Sequence, residues 1–236
     1  MTATTERARP RPRIQFTPLQ IVTHIGALIP LAVLLWDAAN HRLTANPIQE
    51  ATYRTGLTAL VLLVLSLAVT PVNTIFGFKQ VVRLRRPLGL YGFLYVAIHL
   101  FIFAVLDYGL DIEMIRDTII EKRYVLVGFT AFLLLLPLAI TSTKGWMKRL
   151  GKRWKKLHYL MYIAVPLGVV HFVWLVKADI RLPLQYAFIV AVLLIVRIPR
   201  VRRFFTDLRN RLASLMNQQS KTKSALTKLT KETPVR

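Results

Sequence analysis

The chain has 236 residues, 54% of them hydrophobic and 19% charged, with 33 Lys and Arg against 11 Asp and Glu, a formal charge of +22 and no cysteine. The missing cysteine excludes disulfides, iron–sulfur clusters and thiolate ligation of metals, and leaves histidine as the main side chain for any metal. Such a charge in a soluble protein would suggest nucleic acid; here the cations lie between apolar runs of near-membrane length and at the chain ends, which argues against a nucleic-acid partner.

Taken in chain order, a basic, Pro-rich tail over residues 1–16 precedes a first apolar run at about 17–36. That run ends in Trp36 and Asp37 rather than in a small-residue cleavage site, so it reads as a retained span. A second span is expected at about 53–72, stopped by Thr70, Pro71 and Asn73, and a third at about 87–107. A fourth follows at about 124–141, a fifth at about 157–176 and a short sixth at about 183–198. The fold class predicted is therefore all-α, a bundle of six transmembrane helices over residues 17–198, with a basic C-terminal tail over 199–236. Within that tail, 199–216 has the pattern of an amphipathic helix on an anionic leaflet, and 217–236 reads as flexible.

Charge sets the expected direction. Of the 33 Lys and Arg, 26 fall in the N-tail, the 73–87 and 142–156 loops and the C-tail, so that side and both termini are expected to be cytoplasmic. Eight acids, Asp37, Glu50, Asp107, Asp111, Glu113, Asp117, Glu121 and Asp179, fall on the opposite side. Trp36, Trp146, Trp154 and Trp174 sit near span ends, where aromatic belts form.

Four of the five histidines, His24, His99, His158 and His171, lie within or at the ends of spans, where an ionisable group is costly and marks a candidate site. His41 falls in a loop. At 1.5 Å per residue, His99 is about 18 Å and His171 about 21 Å from the cytoplasmic ends of spans three and five. Two imidazoles at matched depth suit bis-histidine haem ligation in an apolar slot. The same pattern also suits two histidines that merely donate to neighbouring helix carbonyls, or a proton relay. His158 is some 20 Å from His171 along the same span, too far to share one metal. Level with it on span three are Arg85 and Arg86, whose guanidinium forks suit a propionate or a flavin or lipid phosphate. His24 reads as a packing residue or as part of a cofactor or quinone site, and Gly89, Gly92 and Gly128 as points of close helix approach.

Two blocks sharpen this. Residues 83–100, RLRRPLGLYGFLYVAIHL, and 140–177, ITSTKGWMKRLGKRWKKLHYLMYIAVPLGVVHFVWLVK, closely resemble the haem-binding membrane subunits of bacterial periplasmic methionine sulfoxide reductase systems, a branch of the ferric reductase-like transmembrane group. The resemblance implies an electron conduit of the bacterial cytoplasmic (inner) membrane that carries haem b, one or two, and FMN. It implies electrons taken from a cytoplasmic flavin reductase or the quinone pool and passed to a periplasmic molybdopterin-containing catalytic subunit that repairs oxidised envelope proteins. By the same resemblance His99 and His171 match the outer haem pair and His158 the inner ligand of span five. Arg85 stands where eukaryotic relatives carry the other inner histidine, and the tail after span six does not resemble their flavin and nicotinamide domains, so reducing power is expected from a separate protein or quinol. Two other classes compete. A proton-coupled secondary transporter using the intramembrane histidines should have discontinuous helices and inverted repeats, which the sequence does not display clearly; a structural anchor would not need histidines matched in depth.

Overall fold

The computed structural model describes residues 17–176 and 178–232, and among them every regular element is helical. The basic tail expected at 1–16 lies outside the described residues. Helix α1, Pro18–Ala39, starts at Thr17 and Pro18, with Gln20 closing a capping box. Helix α2, Pro47–Phe76, is capped by Asn46, whose side chain accepts from the Gln49 amide at 3.1 Å, and it ends at Gly77 in the left-handed region, φ 74°. A tight turn over Lys79–Leu84 leads into α3, Arg85–Phe101, which widens into a π-helical turn over Ile102–Asp107. Beyond the short α4, Ile112–Glu121, comes α5, Arg123–Ile140. Two short basic helices, α6 (Lys144–Leu150) and α7 (Lys152–Leu157), then run through a tight turn at His158–Leu160 into α8, Met161–Leu175. The chain closes with α9, Arg181–Ile195, and α10, Pro199–Glu232.

Five segments are long and apolar enough to cross a bilayer: Pro18–Ala39, Pro47–Phe76, Lys79–Asp107, Arg123–Ile140 and Lys152–Leu175. The sixth expected span takes a different form. Helix α9 is about 22 Å long at 1.5 Å per residue, short of the roughly 30 Å hydrocarbon core, and it turns by 76° into α10. The count reaches six only if that bent pair, α9 with the start of α10, is taken as one span. Helix α10 continues to Glu232, beyond the limit expected from sequence, because no Gly or Pro interrupts residues 200–232.

Helix α2 is the centre. It packs most extensively against α3, while α5 and α8 form a second close pair. Leu60, Leu63, Val64 and Leu67 of α2 join Leu135 and Leu138 of α5 and Ala164, Val165, Val169 and Phe172 of α8 in one core. A smaller cluster, Ala27, Ala59, Leu62, Val69, Leu88 and Tyr95, seats α1 on α2 and α3. The rest of α1 turns Ile21, Val22, Ile25, Ile29 and Leu35 outwards, an apolar face suited to lipid.

Two prolines explain how helices with breakers stay continuous. Pro71 was expected to help stop the second span, yet α2 runs five residues past it. A proline cannot donate to the carbonyl four residues earlier, here that of Leu67, and the guanidinium of Arg197 donates to that carbonyl instead. At Pro30 in α1, the Tyr95 hydroxyl is inserted into the ladder: it accepts from the Leu31 amide at 2.9 Å and donates to the Ala27 carbonyl at 2.8 Å. Tyr95 is 1% exposed, so one side chain both repairs α1 and ties it to α3.

Candidate functional site

The four helices α2, α3, α5 and α8 bring His99 and His171 together near the end of the bundle that carries α4. The imidazole centroids are 6.2 Å apart with ring planes at 87°. His99 donates from Nδ1 to the Thr52 carbonyl of α2 at 2.8 Å, and His171 from Nδ1 to the Tyr124 carbonyl of α5 at 2.6 Å. A carbonyl only accepts, so each Nδ1 carries the proton and each Nε2 keeps its lone pair. Neither Nε2 takes a hydrogen bond among the described residues. This is the tautomer a metal-ligating histidine needs, held by the kind of outer partner such ligands usually have.

The spacing fits one metal between two rings: two metal–nitrogen bonds of about 2 Å each plus the two ring radii come to roughly 6 Å. A side-chain zinc site needs three or four ligands, and among the described residues no group of three His, Cys, Asp or Glu could hold an ion. Two neutral imidazoles instead suit iron that brings its own equatorial nitrogens, as in haem. The surroundings are aromatic: Tyr124 lies 6.1 Å from the His171 ring, and Tyr53 lies 6.2 Å from Phe172.

The opposite end, from which α10 departs, is built differently. His158 sits at the turn before α8, donates from Nδ1 to the Trp154 carbonyl one turn earlier at 3.1 Å, and packs on the Trp154 ring at 3.9 Å. Among the described residues its ring contact is with Trp154 and not with a second imidazole, and the positive charge of Arg85 acts on it through space. The charge of Arg85 also acts on Arg197, whose guanidinium donates to the Tyr162 hydroxyl and the Leu67 carbonyl and lies over the Tyr162 ring at 4.9 Å. The Nε of Arg197 is buried without a partner, and among the described residues no carboxylate pairs with Arg85, Arg197 or His158.

Arg86 does not join this group. Successive helical residues point about 100° apart, and Arg86 lines a groove between α1 and α3 with Gln20, His24, Arg83 and Tyr91. His24 pairs there with the Tyr91 hydroxyl at 3.0 Å, and His41 lies in the α1–α2 loop. Sequence reading thus paired His99 with His171, set Arg85 beside Arg86 where the fold separates them, and overlooked three participants. The carbonyls of Thr52 and Tyr124 belong to the backbone and leave no residue signature, and Arg197 was hidden among the cations that set topology.

A membrane bundle with two facing intramembrane imidazoles defines a haem-protein-like class, and comparison with known proteins agrees. Residues 25–169 match the family "Ferric reductase like transmembrane component". The chain is 47% identical over 179 residues to "Protein-methionine-sulfoxide reductase heme-binding subunit MsrQ" of Xanthomonas axonopodis pv. citri, covering 73% of this chain and 82% of that one. It is 42% identical over 188 residues to the protein of the same name from Herminiimonas arsenicoxydans, covering 78% and 86%. No solved structure matches. The chain belongs to the ferric reductase-like transmembrane family and, within it, to the MsrQ family.

Proposed function

We propose that this chain is the haem b-binding membrane subunit of a methionine sulfoxide reductase system and conducts electrons through the bilayer to a separate catalytic protein. The observation that carries this reading is the His99–His171 pair, 6.2 Å apart with both Nδ1 protons committed to helix carbonyls. Both relatives quoted above are named for haem binding and for methionine sulfoxide reduction. Bound haem supplies one-electron chemistry at iron. His99 and His171 would hold it, the carbonyls of Thr52 and Tyr124 orient the two rings, and Phe172 with Tyr53 and Tyr124 would shield it from water. A proton-relay role fits less well, because the Nδ1 protons are donated to carbonyls, which cannot take them up.

The 26 Lys and Arg that the sequence puts in the N-tail, the 73–87 and 142–156 loops and the C-tail favour both termini in the cytoplasm, and with that the histidine pair in the outward half of the bacterial inner membrane. The recipient is then a periplasmic molybdopterin-containing reductase, and the segment near 107–123 with the Trp174–Arg181 rim forms its docking surface, where Asp107, Asp111, Glu113 and Asp117 steer a complementary patch. Electrons enter from the cytoplasmic side, from a flavin reductase or from quinol. FMN, through its phosphate, or a haem propionate is held there by Arg85 with Arg197, while Arg86 serves the lipid-facing groove. His158 marks the position of any second, inner haem.

The test is a reduced-minus-oxidised spectrum with haem counted per chain, on the purified wild type and on His99→Ala and His171→Ala. A b-type spectrum lost in both variants is expected. Full haem with an unchanged spectrum in both would remove the pair from the mechanism.

A further inference from the structure

The two site histidines are held by two copies of one local arrangement. In one copy, His99 donates to the carbonyl of Thr52 and Gly56 stands one helical turn after that acceptor; in the other, His171 donates to Tyr124 and Gly128 stands one turn after it. The separation from acceptor to histidine is 47 residues in both. The carbonyl of residue i already accepts the amide of i+4, so an incoming imidazole must reach its second lone pair. The side chain at i+4 stands beside that lone pair, which is why Ser and Thr there bond back to it. Glycine leaves the approach open.

The clearances bear this out. A Cβ at Gly56 would lie 3.0 Å from both Nδ1 and Cε1 of His99, and one at Gly128 would lie 2.6 Å from Nδ1 and 2.9 Å from Cε1 of His171. Gly168, on α8 with His171, has nothing within 4 Å of its Cβ position, and neither has Gly26 on α1. We propose that Gly56 and Gly128 are positioning residues: by admitting each imidazole to a helix carbonyl they fix its tautomer and ring plane, and thereby tune the metal centre. This rests on the reading of His99 and His171 as haem ligands. Donation from Nδ1 makes Nε2 the more basic ligand, which favours the more positively charged, oxidised metal and lowers the reduction potential.

The experiment compares Gly128→Ala, Gly56→Ala and the control Gly168→Ala in purified full-length protein. Three quantities are read: haem affinity, midpoint potential, and the tautomers of His99 and His171 in haem-free protein by nitrogen NMR of labelled histidine. Outer-partner losses typically weaken metal affinity about 10–100-fold. That loss is expected for Gly128→Ala, with a smaller one for Gly56→Ala, a raised potential in both, and no change for Gly168→Ala. Wild-type affinity, potential and tautomers in Gly128→Ala would overturn the proposal, as would an equal loss in Gly168→Ala. If Gly128→Ala does not reach the membrane, Gly56→Ala, with its milder overlap, decides by the same readouts. Haem fully retained in His99→Ala and His171→Ala would instead sink the ligand assignment and the potential-tuning claim with it, while the tautomer measurement still reports on the glycines.

Discussion

The two ends of this bundle hold histidines in opposite ways. At the α4 end, His99 and His171 each donate to a carbonyl of a neighbouring helix, so both rings are fixed from outside, with their centroids 6.2 Å apart. At the α10 end, His158 donates to the Trp154 carbonyl one turn earlier, packs on the Trp154 ring and lies in the field of Arg85, which also acts on Arg197. The first arrangement is neutral and two-sided, fit for a metal in a low-dielectric slot. The second is cationic and one-sided, fit for an anion. A membrane protein can thus assign different chemistry to its two faces with the same residue type, by choosing which carbonyl receives the Nδ1 proton.

The sharpest way to break this contrast is electron delivery. Protein in liposomes, reduced chemically from the α10 side, is expected to support methionine sulfoxide turnover only when the proposed catalytic partner is added on the other side. His99→Ala should abolish that turnover, and His158→Ala should leave the pair's haem in place. Turnover without any partner, or equal haem loss in His99→Ala and His158→Ala, would erase the distinction between the ends.

A second comparison tests the charge at the α10 end. Arg197→Gln removes a half-buried cation that also satisfies the Leu67 carbonyl freed by Pro71. Leaving such a group unpaired costs about 1–3 kcal/mol, so thermal unfolding should occur at lower temperature. Arg85→Gln, which has no carbonyl to satisfy with its side chain in this structure, should spare stability and, if FMN is bound as proposed, lower FMN content instead. If Arg86→Gln lowers FMN content and Arg85→Gln does not, the proposed phosphate site moves to the α1–α3 groove, and protein purified without FMN would remove it altogether.

How much of this was legible in the sequence depends on which atoms carry the information. The apolar runs gave the spans, because each needs roughly 20 residues, and depth alone paired His99 with His171. Pro71 misled, since the donor that rescues its helix lies 130 residues from Leu67 in the chain. Arg85 and Arg86 looked like one site because adjacency in sequence is not adjacency on a helix. The second Gly–histidine unit was visible as a repeated spacing, but only once the carbonyl acceptors were known. The 76° turn after α9 left no apolar signature, because the charge that begins at Arg197 ends a span whether the chain bends or leaves the bilayer.

The smallest expected effect concerns Tyr95, which belongs to neither end and ties α1 to the pair of helices that carry the site. Its hydroxyl completes two hydrogen bonds of the α1 ladder at Pro30, from the Leu31 amide and to the Ala27 carbonyl. Tyr95→Phe keeps the ring and its packing in the Ala27, Ala59, Leu62, Val69 and Leu88 cluster but removes the bridge. The Leu31 amide and the Ala27 carbonyl are natural i, i+4 partners, so α1 can straighten and close part of the gap itself. The net loss should therefore be near 1 kcal/mol, the worth of an ordinary hydrogen bond, and not the several expected of two orphaned groups in hydrocarbon. Haem content and potential should match the wild type, because Tyr95 lies on α3 one turn before His99 yet turns its hydroxyl to α1. A modest fall in unfolding temperature with an unchanged spectrum is the expected result; a loss of haem as large as that of His99→Ala would mean that α1 helps to position the histidine pair after all.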